Sequence, residues 1–166
     1  MNRGAGEAEA FDSQVQVQGR EAWRHAVRTL LARPGGSIRM YSPDYADWGL
    51  GDPGVIAALD SWAIGRSQTS VRMLGQRFDG LQREDPRFVQ WRTRFAHVIA
   101  CHALPEECGG LQECLLLPEI GLLLIPSEKS RLAIYCSGAR LHAAVHAFDQ
   151  AWEHSTPTFP AHTLGL

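Results

Sequence analysis

Residues 110–136 read GLQECLLLPEIGLLLIPSEKSRLAIYC, and this stretch decides the fold. It contains three apolar runs, which are Leu115–Leu117, Leu122–Ile125 and Leu132–Tyr135. Pro118-Glu119 separates the first two runs, and the polar segment Ser127–Arg131 separates the last two. Each run is too short for a helix and lacks a 3.6-residue period, so each is predicted to be a strand buried on both faces. Three such strands in succession predict a meander within a larger sheet.

Upstream of the meander, predicted helices alternate with predicted strands, and one more helix follows it. The helix signals are apolar residues at helical spacing and two Asp-Pro starts. The predicted helices are Arg20–Arg33, Pro53–Gly65, Arg77–Arg83, one that opens at Asp85-Pro86, and Ala139–His154. The predicted strands are Gln14–Gln18, Ser37–Tyr41, Ser70–Leu74 and Ala96–Cys101. This order predicts an α/β fold with a mixed sheet and helices on both faces.

The length of 166 residues fits one domain with a full core. We expect residues 1–13 to be disordered and residues 14–155 to form the domain. Residues 156–166 are expected to be a tail packed on the domain, pinned by Phe159 and Leu164. Since no apolar run approaches the ~18 residues of a membrane span, we expect a cytoplasmic protein without membrane contact. The four cysteines are expected to be reduced, because such a core needs no disulfides.

The order of elements resembles one half of the phospholipase D superfamily, whose members carry H-x-K-x4-D followed by a G-S-x-N turn. In this frame the family Asp falls on Glu119, the His on Gln112 and the Lys on Cys114. The Gly-Ser falls on Pro126-Ser127 and the Asn on Lys129, the only lysine of the chain. The segment IRMYSPDYADWGL, which starts at residue 38, is similar to the first strand and loop of such domains. Bacterial phospholipase D-like domains that lack the motif have a similar layout.

In the family the His attacks phosphorus and the Lys neutralises phosphate oxygens. Gln112 cannot be that nucleophile and Cys114 carries no fixed positive charge, so the resemblance implies a non-catalytic module. We expect such a module to act by binding an unidentified protein partner or itself. The Leu-rich strands favour a homodimer with Gln112–Leu117 or the adjoining loops near the interface.

An alternative is an enzyme, with Cys114 in place of the family Lys, or a binder of small anions, in either case using a remodelled pocket around Gln112, Cys114 and Ser127. In α/β sheets ligands bind beyond the carboxyl ends of strands. Arg77, held by an ion pair to Asp79, would supply the positive charge. The candidate ligand-binding residues are Ser42, Asp44, Arg77, Gln112, Cys114 and Ser127. No residue is a candidate for catalysis within the family chemistry.

The sequence contains weak signals for a metal site and for nucleic-acid binding, and other features argue against both. Cysteines 101, 108 and 114 lack the C-x2-C spacing of zinc sites, and His142 and His146 lack the Glu of H-E-x-x-H. We therefore expect no metal and no cofactor. Trp91 lies among arginines at 87, 92 and 94, a mixture that nucleic-acid binders use. The formal net charge of −2 and the interleaved acids argue against nucleic acid.

Overall fold

The computed structural model describes residues 16–33, 35–66, 68, 70–108, 110–125 and 131–160. The helices within these residues are α1 (Arg20–Leu31), α2 (Pro53–Ala63), α3 (Asp79–Glu84), α4 (Pro86–Arg94) and α5 (Gly138–Glu153). The strands are β1 (Gln16–Gln18), β2 (Ile38–Tyr41), β3 (Val71–Gly75), β4 (Ile99–Ala103), β5 (Cys114–Leu116), β6 (Gly121–Ile125), β7 (Leu132–Cys136) and β8 (Thr156–Pro157). They form one sheet in the order β1-β7-β6-β5-β2-β3-β4-β8. Strands β2, β3 and β4 are parallel, and the remaining pairs are antiparallel.

Helices cover both faces of this sheet, which confirms the predicted fold class. The larger core lies beneath the N-terminal helices, where Trp23 of α1, Leu59 of α2 and Phe88 of α4 are fully buried. The smaller core lies beneath α5 and contains Leu141 and Phe148. Because side chains alternate along a strand, each strand of the centre supplies residues to both cores.

The meander forms as predicted from its three apolar runs. Leu115 pairs with Leu122 across β5 and β6, and Leu122 pairs with Tyr135 across β6 and β7. Leu115 belongs to the larger core and Leu116 to the smaller one, so the middle of the run is buried on both faces. Gly121 starts β6 at a close approach, since a Cβ there would lie 2.8 Å from a methyl carbon of Leu116.

Two predicted elements are displaced along the chain. The fourth strand is Ile99–Ala103 rather than Ala96–Cys101, because a turn in which Val98 N donates to Phe95 O (2.9 Å) precedes it. The short helix after β3 begins at Asp79 rather than Arg77. The backbone N–H groups of Gln76 and Arg77 both donate to Pro43 O, which holds this part of the chain outside the helix.

The two Asp-Pro helix starts differ in their capping. Asp52 caps α2, since its Oδ1 accepts a hydrogen bond from Gly54 N at 2.7 Å. Asp85 precedes α4 without a side-chain capping bond. Its carboxylate accepts the backbone N–H of Gly51 instead, which ties α4 to the loop before α2.

The C-terminal segment adds a strand that the sequence did not predict. Thr156 pairs with Ala103 of β4, so β8 closes that edge of the sheet. Phe159 is buried and stacks on Phe78 with ring centroids 5.6 Å apart. Leu164 and residues 1–13 lie outside the described residues. None of the described helices is both long and apolar enough to span a membrane.

Candidate functional site

The positions that correspond to the family His and Lys lie on the side of the meander that faces α5. Gln112 Nε2 donates to Leu124 O at 2.8 Å, so this amide ties the start of β5 to the end of β6. Cys114 is only 1% exposed, and burial raises the pKa of its thiol well above the ordinary value, with smaller contributions from Cys136 and Glu113. The thiol is therefore neutral. The positions of the family's second motif, Pro126-Ser127 and Lys129, lie outside the described residues.

The space beside Gln112 and Cys114 is small and mostly apolar. A cavity of about 240 Å³ lies there. Its lining residues are Gly110, Leu111, Gln112, Cys114, Leu123, Arg140, Ala143, Ala144 and Ala147. Arg140 is the one charged side chain in this lining, so the cavity does not supply the converging polar groups that an anion needs.

On the opposite side of β5, Glu113 lies in a network of charged groups. Its Oε1 accepts hydrogen bonds from Trp48 Nε1 at 2.7 Å and from Arg131 Nη1 at 3.3 Å. Arg131 Nη2 also donates to Asp47 Oδ2 at 2.9 Å. Arg131 lies over the ring of Trp23, 5.3 Å from its centroid. The network joins the loop after β2 to β5 and β7, and its charges are satisfied within the chain.

The loop after β2 closes the strand ends where α/β proteins commonly bind ligands. Tyr45 is buried, and its hydroxyl lies within hydrogen-bond distance of Met40 O (3.0 Å) and Leu74 O (2.5 Å). Burial raises the pKa of Tyr45 well above its ordinary value. Its backbone has φ 60°, a left-handed conformation that is costly for a bulky residue. Ser42 is buried beneath it and accepts the Tyr45 N–H at 2.9 Å.

Asp44 and Arg77 line another cavity of about 240 Å³ at this edge. Asp44 Oδ1 accepts the backbone N–H of Ala46, and Arg77 pairs with Glu106 at 3.6 Å rather than with Asp79. The charged residues of the lining are Asp44, Arg77, Asp79, Arg83, Glu84 and Asp85. Since carboxylates outnumber guanidinium groups, this lining disfavours a small anion. Of the predicted ligand-binding residues that the structure describes, Gln112 and Cys114 line the cavity beside α5, Asp44 and Arg77 line this one, and Ser42 is enclosed. Ser127 lies outside the described residues.

A group of polar side chains that the sequence analysis did not single out lies on the face of the sheet toward α5. We name it the arginine–tryptophan face; it consists of Arg39, Arg72, His102, Asp149 and Trp152. Arg39 binds Asp149 with two hydrogen bonds, Nε to Oδ1 at 2.8 Å and Nη2 to Oδ2 at 3.3 Å. Arg72 Nη1 lies 3.8 Å from the same Oδ1. The ring of His102 stacks on Trp152 with centroids 3.8 Å apart.

A repeated pattern in the sequence predicts that the two arginines of this face lie side by side. The segments SIRMY and SVRML both place an arginine second in the strand, and the parallel register aligns Arg39 with Arg72. The following residues, Met40 and Met73, point into the larger core. Two strands with the same pattern in the same register must place their arginines side by side on the opposite face.

The cysteines and histidines do not form a metal site within the described residues, where no group of three or more His, Cys, Asp and Glu could hold an ion. Cys101 belongs to the larger core and Cys114 to the smaller one, while Cys108 is exposed. Asp149, which follows His142 and His146 on α5, is bound by Arg39.

The basis for the predicted homodimer is wrong. That prediction required exposed leucines on β5, but Leu115 and Leu116 have no exposed surface and Leu117 is 7% exposed. Leu115 and Leu117 pack in the core beneath the N-terminal helices, and Leu116 packs beneath α5. The apolar area is covered by the chain's own helices, so it offers no driving force for association.

The fold and this site define a protein with a phospholipase D-like α/β architecture, and sequence comparison gives its family. The sequence model of the family described as Domain of unknown function (DUF7931) matches residues 19–164, so the chain belongs to that family. No curated protein matches the sequence.

Two solved structures share the fold. Nuc from Salmonella typhimurium, a phospholipase D family member, is 10% identical with a TM-score of 0.56; the match covers 87% of this chain and 97% of Nuc. TrmBL2, an archaeal chromatin protein whose structure is described as showing a novel mode of DNA binding, is 13% identical with a TM-score of 0.64. That match covers 91% of this chain and 58% of TrmBL2, so this chain spans little more than half of that protein.

The second comparison corrects one sequence-based conclusion. We argued against nucleic acid from the net charge, yet a DNA-binding chromatin protein has this fold. The conclusion is wrong because a net charge averages over the whole surface, whereas binding depends on the local arrangement of cations.

Proposed function

We propose that this chain is a degenerate phospholipase D-like module that binds nucleic acid and does not cleave phosphodiesters. The proposal that the chain does not cleave phosphodiesters rests mainly on one observation. The position of the family Lys is Cys114, a neutral thiol in the core beneath α5. The position of the family His is Gln112, whose amide donates to a backbone carbonyl.

The chemistry of phosphodiester cleavage needs a nucleophile and a positive charge on the phosphate oxygens. An amide such as Gln112 is not a nucleophile, and a buried thiol provides no charge. Arg140 is the one charged side chain in the lining beside Gln112 and Cys114, and Arg131, which precedes β7, is paired with Glu113 and Asp47. A phosphate beside Gln112 and Cys114 would therefore meet a cation but, among the described residues, no group able to attack it.

The nucleic-acid part is supported by the likeness to TrmBL2, which shares the fold and is described as a DNA-binding protein. Because this chain spans 58% of TrmBL2, the likeness supports a proposal for the shared fold and not for the whole of that protein's activity. A domain that keeps the phospholipase D-like core without its catalytic pair is suited to holding a phosphodiester polymer intact.

The experiment combines a cleavage assay with a binding assay on the same protein. Purified chain is incubated with bis-p-nitrophenyl phosphate, phospholipid vesicles and labelled DNA, with the Gln112→Ala variant as the matched control. We expect DNA to be bound and recovered intact, with equal background turnover for both proteins. Turnover that the variant abolishes would refute the non-catalytic proposal, and absence of DNA binding at low salt would refute the nucleic-acid proposal.

A remodelled pocket that uses Gln112, Cys114 and Ser127 remains a separate prediction, with Cys114 as a reactive thiol. It requires a depressed pKa and solvent access at that thiol, and burial acts in the opposite direction. Alkylation of the folded protein followed by peptide mapping distinguishes the cases. We expect modification at the exposed Cys108 and none at Cys114; rapid modification of Cys114 would restore the enzyme hypothesis.

A further inference from the structure

The arginine–tryptophan face is an open part of the sheet beside the C-terminal end of α5. Arg39 and Arg72 lie on adjacent parallel strands in register, and His102 lies on the next strand. Trp152 of α5 reaches over these strands to contact His102. The face therefore combines two cations and two aromatic rings.

The charge on this face is only partly neutralised. Asp149 is the carboxylate partner of both arginines, and its two oxygens are engaged by Arg39. Arg72 reaches Asp149 only at 3.8 Å, which is too long for a hydrogen bond, and its side chain is 44% exposed. Two guanidinium groups share one carboxylate, so Arg72 presents donors and one positive charge to solvent.

The aromatic part of the face is held in a fixed geometry. The ring planes of His102 and Trp152 are 15° apart, and His102 Nδ1 lies 2.8 Å from Ser155 Oγ. Ser155 Oγ in turn donates to Trp152 O, so the three residues are joined to one another. Both rings are half-buried, and the Arg72 guanidinium lies 5.6 Å from the centroid of Trp152. Trp152 also stacks on the buried Phe148, with centroids 6.1 Å apart, so the pair needs little ordering before a flat group stacks on it.

A guanidinium group next to a half-buried aromatic pair suits a ligand that carries phosphates and unpaired bases. Proteins bind single strands by placing cations along the backbone and aromatic rings under the bases. A duplex would offer its phosphates but keep its base faces stacked inside. A small molecule would need enclosure, whereas this face is open.

We propose that the arginine–tryptophan face binds single-stranded nucleic acid, with Arg72 on a backbone phosphate and a base stacked on the Trp152–His102 pair. This inference rests on the proposed function and specifies its ligand and its surface. Asp149 holds Arg39 in place and leaves Arg72 as the main contact for phosphate.

The test measures fluorescence anisotropy of three labelled ligands of equal length: oligo(dT), a mixed-sequence duplex and an abasic oligonucleotide. The variants are Arg72→Gln and Trp152→Leu. The matched control is Arg28→Gln, which removes the same charge from an arginine of similar exposure (46%) on α1, in the opposite layer. Circular dichroism and urea unfolding verify that each variant is folded.

We expect oligo(dT) to bind more tightly than the duplex and the abasic strand. Trp152→Leu should weaken oligo(dT) binding roughly 5- to 150-fold, the range for loss of one stacked base. Arg72→Gln should weaken it and reduce the slope of log K against log salt by about 0.7, as for one phosphate contact on a single strand. Arg28→Gln should bind as the parent does.

The outcomes separate this inference from the proposed function. Duplex binding equal to or tighter than oligo(dT) binding, with Arg72→Gln equal to Arg28→Gln, would overturn the inference and leave nucleic-acid binding standing. No binding of any ligand at low salt would overturn both. If Trp152→Leu does not fold, the abasic strand decides the stacking step: equal binding of the abasic strand and oligo(dT) would overturn it.

Discussion

The network around Glu113 predicts that removing Arg131 costs much more unfolding free energy than removing an exposed arginine such as Arg28. The perturbation is Arg131→Met, which replaces the guanidinium that lies over Trp23 with an unbranched uncharged side chain. Glu113 and Arg131 have side chains that are only 11% and 19% exposed. After the substitution the Glu113 carboxylate would keep one hydrogen bond, from Trp48, and lose its positive partner.

The magnitude follows from that burial. Removing one partner of a buried ion pair costs about 3–5 kcal/mol. Arg131 is not fully buried and Glu113 keeps the Trp48 bond, so we expect a loss of about 3 kcal/mol in the free energy of unfolding. Glu113→Gln keeps an acceptor for Trp48 and leaves Arg131 paired with Asp47. We expect that variant to lose about 1.5 kcal/mol, the lower range for a hydrogen bond to a charged group.

The assay is urea unfolding with linear extrapolation, applied to both single variants and to the double variant. Because the two residues are in contact, the double variant should lose about 1–2 kcal/mol less than the sum of the singles. Arg28→Met is the control: its partner Asp52 lies 3.9 Å away and both side chains are about half exposed, so the loss should stay within ~1 kcal/mol. A loss for Arg131→Met equal to that of the control, or strict additivity, would refute the reasoning.

Three further substitutions test other parts of the structure by urea unfolding. Phe159→Ala should lose about 3–5 kcal/mol, because a buried ring that stacks on Phe78 is removed; a loss below ~1 kcal/mol would show that the segment is not pinned. Burial, and to a smaller extent Arg72, lowers the pKa of His102 below 6.5, so the fold favours the neutral ring. The free energy of unfolding should therefore be highest above pH 6.5 and fall as the pH drops through the lowered pKa. His102→Gln should abolish this fall. Burial raises the pKa of Asp85 above 3.8, so the free energy of unfolding should decrease as the pH rises through that raised pKa. If Asp85→Asn leaves the pH profile unchanged, Asp85 is not the group responsible.

The order of the elements up to α5 could be predicted from the sequence, because in these elements the apolar pattern agrees with the burial in the structure. The runs at 115–117, 122–125 and 132–135 are apolar on both faces; the first run is buried throughout, and in the other two Leu122, Leu123, Ala133 and Ile134 are buried. The displaced start of α3 is caused by a tertiary contact, which the apolar pattern of the sequence does not show. Pro43 O takes two backbone donors from the loop after β3, and this contact between distant segments delays the start of α3.

The candidate site was harder to predict, because its residues meet only through strand register and helix packing. Arg39 and Arg72 are 33 positions apart in the sequence, and the parallel pairing of β2 and β3 makes them neighbours. Asp149 follows His142 and His146 at helical spacing on α5, and that spacing does not indicate its partner. The position of α5 over β2 gives it a different partner, Arg39.

Under the proposed function, the replacement of the family His and Lys by Gln112 and Cys114 and the burial of β5 are physically linked. A lysine at position 114 would have to keep its ammonium hydrated, because an unpaired charge beneath α5 would cost several kcal/mol. A cysteine has no such need, so α5 can lie directly on Cys114 and Leu116 and exclude water from them. The same helix then places Trp152 and Asp149 over β2, β3 and β4. The helix that covers β5 therefore also contributes Asp149 and Trp152 to the cationic and aromatic face on β2, β3 and β4.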